Sequence, residues 1–545
     1  MKSGYTRTAL FVTVVGLALS VGCSTPQAAA PDGGTAVQAT TPKVGGVLRV
    51  RASRDPSDWD ITSTGRDVGN NELRALAQQS LLAFKTGPDV GYNQPVIAPQ
   101  LAERWEVSPD AKTYTFHLRK GVKFADAAPV NGRAFTSADV RWSLEYIARL
   151  GPAFSKLPAS NVSYMLEGLE KVETPDPATA VVSFKEPFAP FLNYVAHPFV
   201  SMLAHEVYDK DGNLKDRLTG TGPFQVDEAA SQKGARWVMR KNPAYWDGGK
   251  PYLDQIDVLV LPEDVTAIAA FRTKQVDLVT ALLPHQGSDL KQGSPDAVWF
   301  AYSQNPMHIY LNNTQKPFDN PKVRQAFFLT VDRDEYIKVL SEGSGGWATA
   351  GTLPGTFTQE ELKAMLPHDP AKAKALLAEA GYPNGLAVDT PFPTDRGDIY
   401  PTRLQLMQAQ AAKGGFTLTG KGLPFTQYSD LRRKAQHTVQ FANRDLTADV
   451  DSYLSGTFDP SSGNNYDRVN EPKLNQLIQA QRREPDPAKR TAIVREAARY
   501  LATECFCGLA VYYGNVADYW QPAVKGYRPN WFRNGWAIDE AWLDR

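Results

Sequence analysis

Strand-like and helix-like hydrophobic periodicities follow one another along this chain, and this alternation constrains the fold more than any other feature. In TYTFHLRKGVKF, Tyr114 and Phe116 alternate with polar residues, as in a strand with one buried face. In FTSADVRWSLEYI, a few residues later, Val140, Leu144 and Ile147 form an apolar stripe at helical spacing. Because alternating strands and helices pack as sheets covered by helices, the pattern predicts an α/β protein.

Residues that begin helices support this assignment. Thr136 precedes the helical stripe with Asp139 three residues on, which predicts a capped helix start. Asp369 followed by Pro370 predicts a second start, and the Asp-Pro pair at Asp486 predicts a third. The segment KPYLDQIDVLVLP is apolar on both faces, which is typical of a strand in a covered sheet.

Length and charge narrow the class of protein. A chain of 545 residues exceeds what one hydrophobic core supports, so we expect two or three domains. Lys and Arg together number 59, as do Asp and Glu, which removes a bulk electrostatic reason to expect nucleic acid as a partner. Aromatic residues make up 10% of the chain, and such rings line ligand sites as readily as they fill cores.

The N-terminus has the parts of an export signal. Lys2 and Arg7 give a positive start, and the apolar stretch from Thr8 to Gly22 is shorter than the roughly 20 residues that span a membrane. We therefore predict a signal peptide over residues 1–22.

Cys23 directly follows small residues, an arrangement that resembles the bacterial lipobox. The resemblance implies that the Cys23 sulfur carries a diacylglycerol and that residues 23–44 form a flexible tether. The lipobox leucine stands one position early, at Leu19, with Ser20 in its place. The alternative is an ordinary cleaved leader with an incidental cysteine.

The chain lacks the motifs of common catalytic and metal sites. It has no G-x-S-x-G, no P-loop and no G-x-G-x-x-G after a strand, and its 7 histidines lack ligand spacing. The AHEVYDK segment has Asp209 where a zinc motif needs its second histidine, and DKDGNLKD fits a surface turn better than a calcium loop. We therefore expect no catalytic residue, no metal and no cofactor, and a binding protein rather than an enzyme.

Cys505 and Cys507 stand close together in the segment ECFCG. Two cysteines are half a zinc site at best. Two interpretations stay open, a pair of buried small side chains and a local oxidised pair.

Several long segments resemble the extracytoplasmic solute-binding proteins of ABC importers, in the peptide/nickel-type family 5. The resemblance is carried, in order, by LAERWEVSPDAKTYTFHLRKGVKFADAAPVNGRAFTSADVRWSLEYI (Leu101–Ile147), TGTGPFQV (Thr219–Val226), RKNPAYWDGGKPYLDQIDVLVLPE, LNNTQKPFDNPKVRQAFFLTVDRDEYIKVL, NNYDRVNEPKLNQLIQAQ and the stretch from VKGYRPN to WLDR. In these segments we expect Gly220 and Gly222 to form a tight turn, and Asp319 and Pro321 to begin a helix.

The resemblance implies a bilobal clamp of the large type II periplasmic-binding-protein class, with two α/β lobes joined by hinge strands and an additional domain. Ligand would bind between the lobes and be buried as they close. The implied division is a signal peptide at 1–22, a lipid-anchored tether at 23–44, lobe I at 45–65, 175–280 and 515–545, the additional domain at 66–174, and lobe II at 281–514.

Peptide-binding relatives carry an Asp in a W-x-A-D-Y stretch, where it pairs with the ammonium group of the peptide. Aligning DVDSYL with the family's DPDSFL puts Leu446 at the Asp position, Thr447 at the Tyr and Asn443 at the Trp. Asp445 lies one residue away and is a candidate for the missing carboxylate. In this polar cluster Arg444 would bind a carboxylate while Asp445 holds an amine, the alternative for Arg444 being a solvated loop.

Two further residues are candidate ligand contacts. His308, in PMHIYLN, falls where peptide binders carry a ligand-contacting Tyr, with a structural histidine as the alternative. Trp59, in RDPSDWD, either stacks on a ring or sugar of the ligand or covers the lobe.

The resemblance implies a monomeric, lipid-anchored receptor in the periplasm or on the outer face of the bacterial cell membrane. Its partners would be a solute and a membrane permease with its ATPase. Oligopeptides or dipeptides are the first candidate ligands, followed by opines or amino-acid conjugates, oligosaccharides and metal chelates. A sensory receptor is the alternative to an importer, and the missing nucleophile and metal motifs argue against an exported enzyme.

The lipidation assignment makes a direct prediction. Cys23→Ser removes the sulfur that would carry the lipid, so the variant is expected in the soluble fraction with unchanged ligand affinity. Fractionation of cells followed by immunoblotting measures this, and a variant retained in the membrane fraction would refute the lipobox assignment.

Overall fold

Strands and helices alternate along the described part of the chain. The computed structural model describes residues 41–64, 68–87, 90–396, 399–444, 449–533 and 536–545. The chain from Pro42 to Arg545 clusters as one unit. Cys23 lies outside the described residues, so its lipidation stays a prediction.

The strands belong to several separate sheets. They are β1 (Val47–Ala52), β2 (Leu82–Phe84), β3 (Ile97–Pro99), β4 (Ala102–Val107), β5 (Thr113–Leu118), β6 (Leu169–Asp176), β7 (Thr179–Phe184), β8 (Phe224–Val226), β9 (Arg236–Lys241), β10 (Gln255–Val260), β11 (Leu278–Leu282), β12 (Val298–Ser303), β13 (Met307–Leu311), β14 (Gly345–Trp347), β15 (Leu386–Pro393), β16 (Phe416–Leu423), β17 (Val439–Asn443), β18 (Leu509–Ala510), β19 (Tyr512–Trp520), β20 (Val524–Lys525) and β21 (Trp542–Leu543).

The helices pack between and around these sheets. They are α1 (Ile61–Thr64), α2 (Val68–Ala77), α3 (Ser137–Ala148), α4 (Phe191–Tyr194), α5 (His205–Asp211), α6 (Asp264–Arg272), α7 (Pro284–Gly293), α8 (Pro321–Leu329), α9 (Arg333–Leu340), α10 (Gln359–Met365), α11 (Pro370–Glu379), α12 (Ile399–Lys413), α13 (Phe425–Arg433), α14 (Asp451–Phe458), α15 (Pro472–Arg483) and α16 (Pro487–Thr503).

The largest sheet has the order β12-β19-β11-β1-β10-β9-β8, with β14 paired to β19. Its centre is β1, which pairs in parallel with β10 and β11, while the outer pairs are antiparallel. Leu48 and Val50 of β1 and Val258 of β10 are fully buried. The strand predicted from KPYLDQIDVLVLP is therefore confirmed, and it lies inside a covered sheet as its apolar faces indicate.

A second sheet has the order β17-β13-β18, beside the parallel pair β15-β16. The chain passes directly between this sheet and the neighbouring strands β12 and β19 of the largest one at two short crossings. It crosses once through residues 304–306, between β12 and β13, and again at Val511, between β18 and β19. These two crossings therefore link the two sheets.

A third, antiparallel sheet has the order β4-β5-β7-β6 and is covered by α3. The predicted strand face at Tyr114 and Phe116 and the predicted helix stripe at Val140, Leu144 and Ile147 all lie in its core. The α3 start is also confirmed: the backbone N–H of Thr136 donates to Asp139 Oδ2 at 2.9 Å.

The other helix starts agree with the sequence apart from one residue. Asp369 and Asp486 are N-caps followed by proline, as predicted. The expected cap Asp319 is wrong by one position, because the Asn320 side chain accepts the Lys322 N–H at 3.0 Å. Pro321 occupies the first helical position, so the residue directly before it must be the cap.

Cys505 and Cys507 form a disulfide across one intervening residue, and both are buried. Of the two interpretations left open by the sequence, the local oxidised pair is the one found.

Gly220 and Gly222 allow two segments to approach closely. A Cβ added at Gly222 would lie 2.4 Å from the Leu76 carbonyl oxygen, and one at Gly220 would lie 2.3 Å from that of Ala77. The Gly222 N–H donates to the Ala77 carbonyl at 2.9 Å. These glycines therefore seat the end of α2 against the start of β8.

This contact predicts the effect of a small substitution. Gly222→Ala forces the end of α2 away and is expected to lower the free energy of unfolding by about 3 kcal/mol. Urea unfolding followed by circular dichroism measures the change. Gly248→Ala is the matched control, because a Cβ there meets no heavy atom within 4 Å. Equal stability of both variants would contradict the close approach.

Candidate functional site

Within the described residues, three adjoining cavities form one cleft beside the two chain crossings. The first, named here the arginine cavity, has a volume of about 890 Å³ and is lined by residues that include Arg149, Tyr310, Arg432, Arg444 and Tyr466. It draws on α3 at one side and on β13, α13 and the segments near α14 at the other.

The second, named the carboxylate cavity, has a volume of about 460 Å³. Its lining includes Glu72, Asp264 and Asp518, together with Tyr92 and Tyr302. The third, named the bridging cavity, has a volume of about 600 Å³ and shares lining residues with both of the others.

Asn443 lines all three cavities. It ends β17, where it lies opposite Met307 of β13. Its Oδ1 accepts a hydrogen bond from Arg403 Nη2 at 2.8 Å, and its Nδ2 donates to the Asn305 carbonyl at 3.3 Å. The predicted cleft position of Asn443 thus coincides with the first chain crossing.

Arg444 follows Asn443 and also lines the arginine cavity. Its side chain is buried, with the residue 3% exposed, so the solvated-loop alternative does not describe it. Nη2 donates to the Gly456 carbonyl at 2.9 Å, while Nε has no hydrogen-bond partner in the described part of the chain. Asp445 lies outside the described residues, and its proposed role stays a prediction.

His308 and Trp59 lie away from the cleft. His308 is fully buried, with Nε2 3.0 Å from Asp467 Oδ2 and Nδ1 3.3 Å from the Tyr453 hydroxyl. This is the contact pattern of a structural histidine. Trp59 packs edge-on against Trp237, with ring centroids 5.3 Å apart, in the core of the largest sheet. Neither residue lines the three cavities.

Sequence reasoning missed Tyr310 and Arg432. Tyr310 is two residues beyond His308 on the same strand, and the two rings lie 4.5 Å apart. Peptide binders carry a ligand-contacting Tyr near the position of His308, and here Tyr310, one strand repeat further on, lines the cleft. Arg432 lies on the amphipathic helix α13. Nothing in the sequence distinguishes an arginine on such a helix as a residue that lines a cleft.

Several arginines of the cleft have no acidic partner. Arg54, Arg396, Arg403, Arg432 and Arg444 line the arginine and bridging cavities, and none forms an ion pair with a carboxylate of the described chain. Two of them make other contacts of note. Arg396 lies 3.8 Å from the centre of the Phe425 ring, and Arg403 bonds to Asn443. Glu167 and Asp459 also line the arginine cavity, but neither pairs with these five arginines, whose positive charge favours an anionic ligand at this end of the cleft.

The carboxylate cavity differs from the arginine cavity in that a buried acidic side chain, Asp518, lines it. This carboxylate accepts the Ala281 N–H and the Tyr302 hydroxyl at 2.8 Å each, and the Tyr527 hydroxyl at 2.6 Å. Burial raises the pKa of Asp518 from its ordinary 3.8 to about 6, although these hydrogen bonds oppose the shift. The Asp518 carboxyl group therefore gains or loses its proton in mildly acidic solution, at a pH of about 6.

The raised pKa predicts a pH-dependent stability. Between pH 3.8 and 6 the folded state holds a proton that the unfolded state has lost, so stability falls as pH rises through this window. The wild type should gain about 1–2 kcal/mol relative to Asp518→Asn when pH falls from 7.5 to 5. Denaturant titrations at both values measure it.

Asp227→Asn is the control for this measurement. The Asp227 pKa is lowered, first by its hydrogen bond with Arg240, so that carboxylate stays ionised over the same pH range. A wild type and an Asp518→Asn variant with parallel pH profiles would contradict the assignment.

Metal and membrane features were sought in the same part of the chain. Among the described residues, no group of three or more His, Cys, Asp or Glu side chains could hold a metal ion. No helix there is both long and apolar enough to cross a bilayer.

Known proteins share this fold and sequence. The chain is 33% identical over 316 residues to the glutathione-binding protein GsiB of Salmonella choleraesuis, a match that spans 58% of this chain and 59% of that protein. It superimposes on the periplasmic binding protein DppA of Helicobacter pylori, in complex with the peptide STSA, with a TM-score of 0.80 and 26% identity. This covers 92% of this chain and 99% of DppA.

A second solved structure is the binding protein AgaA of A. tumefacien R10 in complex with agropinic acid. Its TM-score is 0.78 at 25% identity, covering 92% of this chain and 99% of AgaA. The implied α/β fold of the type II binding-protein class is therefore confirmed. A family profile described as "Bacterial extracellular solute-binding proteins, family 5 Middle" matches residues 96–465. The chain thus belongs to family 5 of the bacterial extracellular solute-binding proteins.

Proposed function

We propose that this protein captures a carboxylate-bearing, peptide-like solute in the cleft and delivers it to a membrane permease. The observation that carries the proposal is the charge of the cleft. One end presents arginines that have no acidic partner among the described residues, and the other end is lined by Glu72, Asp518 and Asp264, the last of which pairs with Arg51. A solute with carboxylates at one end and an amine at the other complements both.

The similar proteins support this class of ligand. GsiB is a glutathione-binding protein, DppA was solved with the peptide STSA, and AgaA was solved with agropinic acid. Glutathione and STSA are peptides, and agropinic acid is a carboxylic acid, so each of the three ligands carries a carboxylate. A neutral oligosaccharide would leave the cleft arginines uncompensated, and such buried charge is costly.

The chain crossings support a clamp mechanism. Residues 304–306 and Val511 link the two main sheets, and Gln304 and Asn305 line the bridging cavity. Rotation about these links would move β13, α13 and β17 relative to the largest sheet. Ligand that contacts both sides would shift the open–closed equilibrium toward the closed state. We keep the lobe and domain boundaries given above as part of this proposal.

The remaining parts of the proposal concern location and partners. The lipid at Cys23 and the tether at 23–44 would hold a monomeric clamp beside the permease and its ATPase. Asp445 is proposed to bind the solute's amine. Trp59 and His308 lie away from the cavities and have no role in this proposal.

Identification of the bound solute tests the function. Native mass spectrometry of the purified protein, followed by denaturation and analysis of the released molecule, should find a compound built from amino acids with at least one carboxylate. Adding that compound back to ligand-stripped protein should raise the melting temperature as its concentration exceeds the Kd. A neutral sugar as the released solute, or conversion of an added solute to a product, would contradict the proposal.

A further inference from the structure

Arg432 is the most unusual cation of the cleft. Its guanidinium carbon lies 5.2 Å from the centre of the Tyr310 ring and 4.6 Å from that of Tyr466. The side chain is partly buried, and no hydrogen bond or ion pair joins it to the described chain. Its Nε is closed off from solvent and has no partner. The aromatic rings stabilise the cation but satisfy none of its N–H donors.

A second guanidinium approaches the same ring. The Arg444 guanidinium carbon lies 5.8 Å from the centre of the Tyr466 ring, and the residue is 3% exposed. Among the described residues, its side chain donates a hydrogen bond only to the Gly456 carbonyl. Two neighbouring cations destabilise each other in a low-dielectric site unless an anion lies between them. Both line the arginine cavity, so that anion can come from the ligand.

Tyr310 adds a neutral donor to this pair. The residue is 1% exposed, lines the arginine cavity and has a hydroxyl with no hydrogen-bond partner in the described chain. Burial raises the pKa of Tyr310, so the hydroxyl keeps its proton at neutral pH. An oxyanion in the cavity could therefore accept from one hydroxyl and two planar guanidinium groups.

We infer that Arg432, Arg444 and Tyr310 form a binding site for a second carboxylate of the solute, so that the preferred ligand is an acidic peptide or conjugate. This inference rests on the proposed function and narrows its ligand class. Arg54, Arg396 and Arg403 line the bridging cavity and remain available for the first carboxylate. A carboxylate suits the planar fork of arginine, which donates two parallel hydrogen bonds to it.

The neighbouring residue provides a matched control. Arg433 follows Arg432 on α13 and also lines the arginine cavity, but its guanidinium pairs with Asp430 at 2.5 Å and is largely exposed. Replacing either arginine by Gln changes the charge near the cavity equally. A difference between the two variants therefore reports local bonding rather than the general field.

Isothermal titration calorimetry with glutathione, its diethyl ester and Ala-Ala-Ala tests the site. Wild-type protein should bind glutathione at least about 10-fold more tightly than either other probe, because only glutathione carries two carboxylates. Arg432→Gln should weaken glutathione binding by roughly 100-fold and leave Ala-Ala-Ala nearly unchanged. Arg432→Lys should give an intermediate loss, and Arg433→Gln less than about 3-fold.

Other outcomes distinguish a failure of the second-carboxylate site from a failure of the proposed function. No glutathione binding in a protein that binds Ala-Ala-Ala, or equal losses in the Arg432 and Arg433 variants, would overturn the second-carboxylate site while the proposed function stands. Equal affinity for glutathione and its diester would overturn both, because the diester has no free carboxylate. A released solute that contains no amino-acid unit would overturn the function itself. If Arg432→Gln does not fold, two measurements still test the site. One is the comparison of glutathione with its ester on wild-type protein. The other is Tyr310→Phe, which is expected to weaken glutathione binding by roughly 5-fold.

Discussion

The antiparallel pairing of β12 with β19 is the interaction on which the rest of the structure depends. It runs from Val298 opposite Trp520 to Ser303 opposite Asn515, and β19 also pairs with β11 and β14. The same two strands lead directly into the second sheet, at 304–306 and Val511. Since both crossings leave from this pair, it fixes where the two main sheets face each other and where the cleft lies between them.

Arginines line one end of the resulting cleft and carboxylates line the other. This distribution of charge, more than the shape of the cleft, supports the proposed function. Some buried cations elsewhere in the described chain are paired with carboxylates, as Arg482 is with Asp451 and Arg490 with Asp449. Arg432 and Arg444 lack such partners although the Nε of each is closed off from solvent. A folded protein retains an unpaired buried charge only where something else compensates it. A ligand anion is the compensation that a solute-binding cleft can supply.

Much of the fold could be predicted because its signals are local. The caps at Thr136, Asp369 and Asp486 each depend on a few neighbouring residues, and all three were found where the sequence places them. Prediction from the sequence was less accurate where it had to choose between nearby residues of similar chemistry. Asn320 replaced the expected Asp319 as a cap, and Tyr310 rather than His308 lines the cleft, since strand pairing and burial choose between residues of similar chemistry.

By itself, the sequence determined the α/β class and the family, because periodicity, capping and ordered motifs are properties of contiguous residues. It also predicted a ligand segment around Asn443, which stays a prediction. Only the tertiary structure decided which side chains form the site. Tyr310, Arg432 and Tyr466 come from separate segments of the chain, and their contact exists only once β13, α13 and the loop after α14 are packed together. Within the described chain, the lack of an acidic partner for Arg432 is likewise a property of three-dimensional neighbours, which no pattern along the sequence records.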